Sequence, residues 1–184
     1  MHHKGTVKIE TERLVLRRFV LEDYKYIYAN WANDDEVTRF LTWPTHKSEK
    51  VSEYILKEWV SQYADKKYYQ WCIELKKISE PIGSISVVDY NEAVSAVEIG
   101  YCIGRKYWNQ GYTSEALAAL IDFFFNTVGM NRIEARHDPK NPNSGLVMKK
   151  CGMNYEGTKI MADKNNTGIC DTAIYGIINP KSAK

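Results

Sequence analysis

The chain has 184 residues, 44% of them apolar and 26% charged, with 11 Gly, 5 Pro and 4 Cys. That is an ordinary globular composition, long enough for one domain to bury roughly 70% of its unfolded surface with no disulfide or structural metal. The 25 basic and 23 acidic residues leave a net charge of +2 with no basic blocks, which disfavours a nucleic-acid binder built on a broad basic face and excludes a disordered chain.

Residues 13–19 (RLVLRRF) alternate with period two and read as a short strand. Tyr24, Ile27, Tyr28 and Trp31 follow at helical spacing. After the Trp43-Pro44 loop, Ser48 is placed to cap a helix that buries Val51, Ile55 and Trp59. Strands over 69–75, 82–90 and 95–103, separated by turn residues, form an antiparallel meander. Leu117, Leu120, Ile121, Phe124 and Val128 make the strongest helical stripe, running from Ser114 to a stop at Gly129. Next come a strand over 132–137 and a helix opened by Asn141-Pro142 and closed by Gly152. Strands over 155–161 and 170–177 flank an Asn-Asn-Thr-Gly turn. Sequential strands with inserted helices indicate an α+β fold. Neither repeats nor linkers divide the chain, so one domain over residues 11–180 is expected, with 1–10 as an N-terminal extension and 181–184 as a tail. The longest apolar stretch, residues 116–125, contains Asp122 and falls well short of the roughly 20 residues of a membrane span. The start, MHHKGTVKIE, lacks the apolar segment of a secretory signal, and Cys72, Cys102, Cys151 and Cys170 lie too far apart for a Cys-x-x-Cys pair. A cytoplasmic protein with reduced thiols, no membrane contact and no metal is expected.

The segment RKYWNQGYTSEA joins a strand to a helix, and such a junction presents unpaired amides and the positive end of the helix dipole to an anion. Gly111 permits close backbone approach, and Thr113 and Ser114 offer hydroxyls; a plain glycine turn with a Thr or Ser cap is the alternative. Neither G-x-x-x-x-G-K-[ST] nor G-x-G-x-x-G is present, which argues against an ATPase or a dinucleotide enzyme.

Four collinear pieces, TERLVLRRF, VEIGYCI, YWNQGYTSEALAALIDF and NRIEARHDPKNPNSGLVMKKCGMNYEG, with the closing DTAIYGI, resemble the GNAT family of N-acetyltransferases, in the branch similar to the RimJ/RimL enzymes that acetylate protein N-termini. The resemblance implies a mixed, mostly antiparallel sheet of about seven strands flanked by helices and splayed between strands four and five. It implies acetyl-CoA as co-substrate, a primary amine as acceptor and direct attack in a ternary complex. Trp108, Asn109, Gln110, Gly111, Tyr112, Thr113 and Ser114 fall on the loop that holds the CoA pyrophosphate, with Trp108 where the wider family often has Arg or Gln and Thr113 where it has a second Gly or Ala. Tyr101, Cys102 and Ile103 match the strand that pairs with the pantetheine arm; Asn141 and Ser144 match the branch's N-x-x-S pattern, and Lys150 is a candidate for a CoA phosphate. Asn141 also reads as a helix cap.

This chemistry needs a neutral amine, a stabilised oxyanion and a departing thiolate. Glu98 is the first candidate for the base, because alternation puts it on one strand face with Ala96, Gly100 and Cys102, opposite Val97, Ile99 and Tyr101. Pairing with Lys or Arg is its alternative. His137 is the second candidate, with a packing role as the alternative. Ser144 donates to the departing sulfur, and a backbone N–H near Tyr101 or Cys102 meets the oxyanion. Trp43, Tyr69 and Trp71 are candidates for an acceptor groove, although core packing suits the same spacing. The acceptor is a protein N-terminus or a small-molecule amine; the loops hold no acidic cluster, which argues against a polycation. A non-catalytic acyl-CoA-binding module is the rival from another class. Homodimers are common in the branch, yet no stretch marks an interface.

Overall fold

The computed structural model describes residues 2–182. One sheet of eight strands runs in the order β1-β2-β3-β4-β5-β6-β8-β7. Its strands are β1 (Ile9–Glu10), β2 (Leu14–Arg17), β3 (Gln70–Leu75), β4 (Glu80–Asn91), β5 (Ala96–Ile103), β6 (Arg132–His137), β7 (Asn154–Asn165) and β8 (Gly168–Ile178). The expected strands are all present, and β1 is an eighth: it pairs antiparallel with β2 through Ile9↔Leu16 and is too short to show alternation. Part of the expected N-terminal extension therefore joins the sheet. Val7 O also accepts from Trp71 Nε1, and Thr6 Oγ1 accepts from Gln70 N.

β3, β4 and β5 form the expected antiparallel meander, with a bulge at Val88. β5 and β6 are the parallel pair, joined only through Ala96↔Arg132, Val97↔Ile133 and Glu98↔Glu134. Beyond Glu98 the two strands part.

Helices cover both faces because successive side chains along a strand point to opposite sides, and the central β3 is buried on both, at Trp71 and Ile73 and at Gln70 and Cys72. On one face α4 (Tyr112–Phe123) and α5 (Pro142–Lys150) cover a core that includes Leu14, Leu16, Trp71, Ile73, Val97, Ile99 and Ile133. α4 starts two residues before the expected Ser114, continues as a π-helical turn over Phe124–Val128 and stops at Gly129, whose φ of 81° is left-handed. On the other face α1 (Tyr24–Ile27), α2 (Asp35–Thr38) and α3 (Glu49–Ser61) enclose Phe19, Ile27, Trp31, Leu56 and Cys72. α3 begins after Ser48 as expected, but its buried line is Ser52 and Leu56, while Val51 is 39% exposed. Ser52 can face inward because its hydroxyl shares a 2.8 Å hydrogen bond with His46 Nδ1, so a hydrophobicity pattern turns the helix to the wrong face. Among the described residues no helix is long and apolar enough to cross a membrane.

Candidate active site

The parting of β5 from β6 opens a cleft of about 310 Å³ between the end of β5, the loop into α4, the N-terminal half of α5 and the short α2. Each wall has a local cause. After Ile103 the chain makes a single turn over Arg105–Tyr107, and Trp108 Nε1 folds back to donate to Ile103 O at 2.9 Å. Asn109 and Gly111 then take left-handed φ angles of 60° and 79°, which Asn and Gly adopt more readily than other residues. Gly111 is the N-cap of α4 and supplies no side-chain acceptor, so the first amides of the helix stay open toward the cleft at the positive end of its dipole. Tyr112, Thr113 and Ser114 line the cleft with Trp108, Asn109 and Gly111. Gln110 turns away: its carbonyl accepts from Arg13 Nη1 and its amide donates to Lys106 O.

The facing wall is polar. Asn141 precedes Pro142 at the start of α5 but makes no capping bond through its side chain; its Nδ2 donates to Ser144 Oγ at 3.3 Å. A hydroxyl that accepts one bond keeps its own hydrogen free to donate. Tyr101 spans the cleft floor and donates from its hydroxyl to Ser144 O at 3.0 Å, and burial pushes its phenol up, so it stays protonated. Cys102 lies beside it with its sulfur 3.4 Å from Ser84 Oγ, and burial pushes that thiol up as well, which leaves little thiolate for nucleophilic chemistry. Ile103 and Lys150 complete the expected set on the cleft.

Glu98 projects from the opposite face of β5. Its carboxylate is mostly buried, with 15% side-chain exposure, and lies 2.9 Å from Arg136 Nε, which also meets Asp163 at 3.4 Å. Burial raises its pKa; Arg136 opposes that, while Asp89, Glu134 and Asp163 add to it. Four carboxylates from different strands therefore gather where the sequence shows no acidic run. His137 lies beneath α5, outside the cleft. Its Nδ1 is 2.8 Å from Asp138 O, which can only accept, so Nδ1 carries the proton and the buried, unpartnered Nε2 faces Gly145.

The aromatic groove needs correction. Tyr69 and Trp71 stack on each other within the main core, 1% and 0% exposed, against Phe123 and Phe124, and so cannot touch an acceptor. Trp43 is half-buried in its loop, tilted over His46, with its carbonyl accepting from Asn166 Nδ2. In place of the two core aromatics, Glu36, Val37 and Phe40 reach the cleft from α2 and the loop after it. Four residues are too few for helical periodicity, and the signal was the cap: Asp34 accepts from Glu36 N at 3.0 Å.

Residues 13–154 match the family described as the acetyltransferase (GNAT) domain. The chain belongs to the GNAT family of N-acetyltransferases. The uncharacterized N-acetyltransferase YoaA of Bacillus subtilis (strain 168) is 30% identical over 173 residues, covering 94% of this chain and 97% of the relative. The [ribosomal protein uS5]-alanine N-acetyltransferase of Escherichia coli (strain K12) is 34% identical over 77 residues, 40% of each chain. A solved structure of RimL, the ribosomal L7/L12 α-N-protein acetyltransferase in complex with coenzyme A, superposes with a TM-score of 0.83 at 19% identity, covering 97% of this chain and all of that one. GNAT enzymes use acetyl-CoA, and this GNAT chain has the family's split sheet with the parallel β5–β6 pair.

Proposed function

We propose that this GNAT enzyme transfers the acetyl group of acetyl-CoA directly to a primary amine, and that the amine is a protein N-terminus. The observation that carries the reading is the cleft, which sets the open N-terminus of α4 against the Asn141–Ser144–Tyr101 network across a split sheet. The amides of residues 112–114 suit the pyrophosphate, with Lys150 on the rim, and the free backbone of β5 beyond Glu98 suits the amide-bearing pantetheine arm. Bound there, acetyl-CoA supplies the activated acyl group.

The residues then divide the work. A backbone N–H of β5 near Tyr101 or Cys102 faces the charge that develops on the acyl oxygen. Ser144, held by Asn141, donates to the departing sulfur. Glu98 takes the proton of the amine through water from the other face of β5, its basicity raised by burial and moderated by Arg136. An α-amine has a pKa of about 7.7–8.0, so roughly one in ten is already neutral at pH 7 and a weak base suffices. The named activities of the uS5 and L7/L12 enzymes favour an N-terminal acceptor. The carboxylates around Glu98 favour a second reading, a small cationic amine.

Calorimetric titration with acetyl-CoA, with ATP and NADH as controls, tests the first step. Saturable binding of acetyl-CoA alone, abolished by Gly111→Asp, is expected; no binding overturns the reading. Thiol release with peptides that start in Ala or Ser, beside the same peptides with blocked termini and beside spermidine, then separates the acceptors.

A further inference from the structure

The opening motif TERLVLRRF has no part in the chemistry above, yet its Thr11 and Arg13 reach across to the loop that leads into α4. Thr11 Oγ1 donates to Glu115 Oε1 at 2.5 Å. The Arg13 backbone N–H donates to the same oxygen at 2.8 Å, and Arg13 Nε donates to Glu115 Oε2 at 2.6 Å. Arg13 Nη1 donates to Gln110 O at 2.9 Å, and the guanidinium lies over the Tyr112 ring at 4.4 Å. Its Nη2 passes 3.5 Å from where a Cβ on Gly111 would stand. One side chain thus meets residues 110, 112 and 115 and passes beside Gly111, on both sides of the left-handed turn.

We propose that Arg13 is a positioning residue for acetyl-CoA, clamping the 109–114 loop in its anion-accepting shape and cancelling the charge of Glu115 behind it. The proposal rests on the reading of that loop as the pyrophosphate site. Glu115 stands in the first turn of α4, where a carboxylate suits the helix dipole but repels any anion bound to the same amides. Burial alone would raise its pKa, yet the hydrogen bonds from Thr11 and Arg13 hold it below the usual range, so it is ionised at neutral pH. Arg13 resolves the conflict, since Nε of its guanidinium neutralises the carboxylate while Nη1 fixes the carbonyl between the two left-handed residues. Its own position is set by the β1–β2 turn, where Thr11 N and Leu14 N bond to Leu14 O and Thr11 Oγ1.

The test compares acetyl-CoA with S-acetylpantetheine, which carries the thioester but no pyrophosphate, in the full-length wild type, Arg13→Gln and Arg13→Lys. In Arg13→Gln the KM for acetyl-CoA should rise about tenfold or more, the scale of losing charge-assisted hydrogen bonds, while kcat at saturation stays within about twofold. With S-acetylpantetheine, kcat/KM should match the wild type. Arg13→Lys keeps the charge but loses the fork, guards against failure to fold, and should show part of the same rise. An unchanged KM for acetyl-CoA in both variants overturns the clamp, as does an equal loss with both thioesters, which marks a general structural role. A wild type that binds no acetyl-CoA overturns the pyrophosphate reading itself and the clamp with it, a result distinct from the other two.

Discussion

Replacing Gly145 with alanine sets two effects of known size against each other. Gly to Ala inside a helix normally stabilises by about 1 kcal/mol. Here the new Cβ would stand 2.7 Å from His137 Nε2 and 3.1 Å from its Cε1, far inside ordinary contact. The ring has little freedom to yield, because Nδ1 is tied to Asp138 O and the ring packs against Tyr175. Overpacking of this kind costs about 1–3 kcal/mol, so the net expectation is a loss of up to about 2 kcal/mol. At about 2–4 °C per kcal/mol for a chain of this size, the midpoint of thermal unfolding should fall by as much as ~8 °C. The strain should also tilt α5 away from β6, carry Asn141 and Ser144 with it and raise the KM for acetyl-CoA. Adding His137→Ala to Gly145→Ala should recover much of the lost midpoint. A midpoint that instead rises by the ~2–4 °C of propensity alone would refute the reasoning and show that His137 is not wedged under the helix.

Glu98→Gln should lower kcat without moving the affinity for acetyl-CoA and should flatten the acid limb of the pH–rate profile, whose midpoint in the wild type lies above the usual carboxylate range because burial raises this group. A carboxyl raised in the folded state contributes stability below its unfolded pKa and loses that contribution as pH rises through the folded value, so the variant should gain on the wild type in urea titrations as pH increases from 4 toward 7. Trp71→Ala should cost about 3–5 kcal/mol by chemical denaturation, the penalty of a core cavity, and a change confined to acceptor KM would contradict its place under Phe123 and Phe124. Iodoacetamide at pH 8 should label the folded protein slowly: burial raises Cys72, Cys102 and Cys170 and pushes Cys151 up to about 11, leaving about one thiolate in a thousand there. Rapid native labelling seen by mass spectrometry would contradict that burial.

The elements most legible in the sequence are those whose residues state their own environment. Val97 and Ile99 against Glu98 and Gly100 describe a strand with two different faces, and Leu117 to Val128 describe a helix with one buried stripe ended by a glycine. The residues that could not be read depend on contacts outside the pattern of their own element. Ser52 faces inward only because His46 satisfies it, and Tyr69 and Trp71 fit a groove or a core equally well until α4 is laid over them. The carboxylates around Glu98 come from β4, β6 and β7, so no local window contains them. At the loop the type of site was legible but its detail was not: left-handed angles at Asn109 and Gly111 turn Gln110 out of the cleft, and Arg13, nearly a hundred residues away, is drawn in behind it.

The three-pair union of β5 and β6 gives this sheet an edge in its interior. Peripheral edges are hazards, because a row of unpaired amides and carbonyls invites strands from other molecules. The edge along residues 99–103 is instead enclosed by α4 and α5, in a mouth that suits one slender chain better than a second strand with side chains on both faces. Apart from Ile103 O, which Trp108 Nε1 satisfies, its outward backbone groups are left to water without such a chain, and any occupant that offers amides at the right interval displaces that water and completes the sheet. Amide hydrogen exchange along 99–103 should therefore be faster than along the fully paired β3 and slow on saturation, as though the protein had gained a ninth strand.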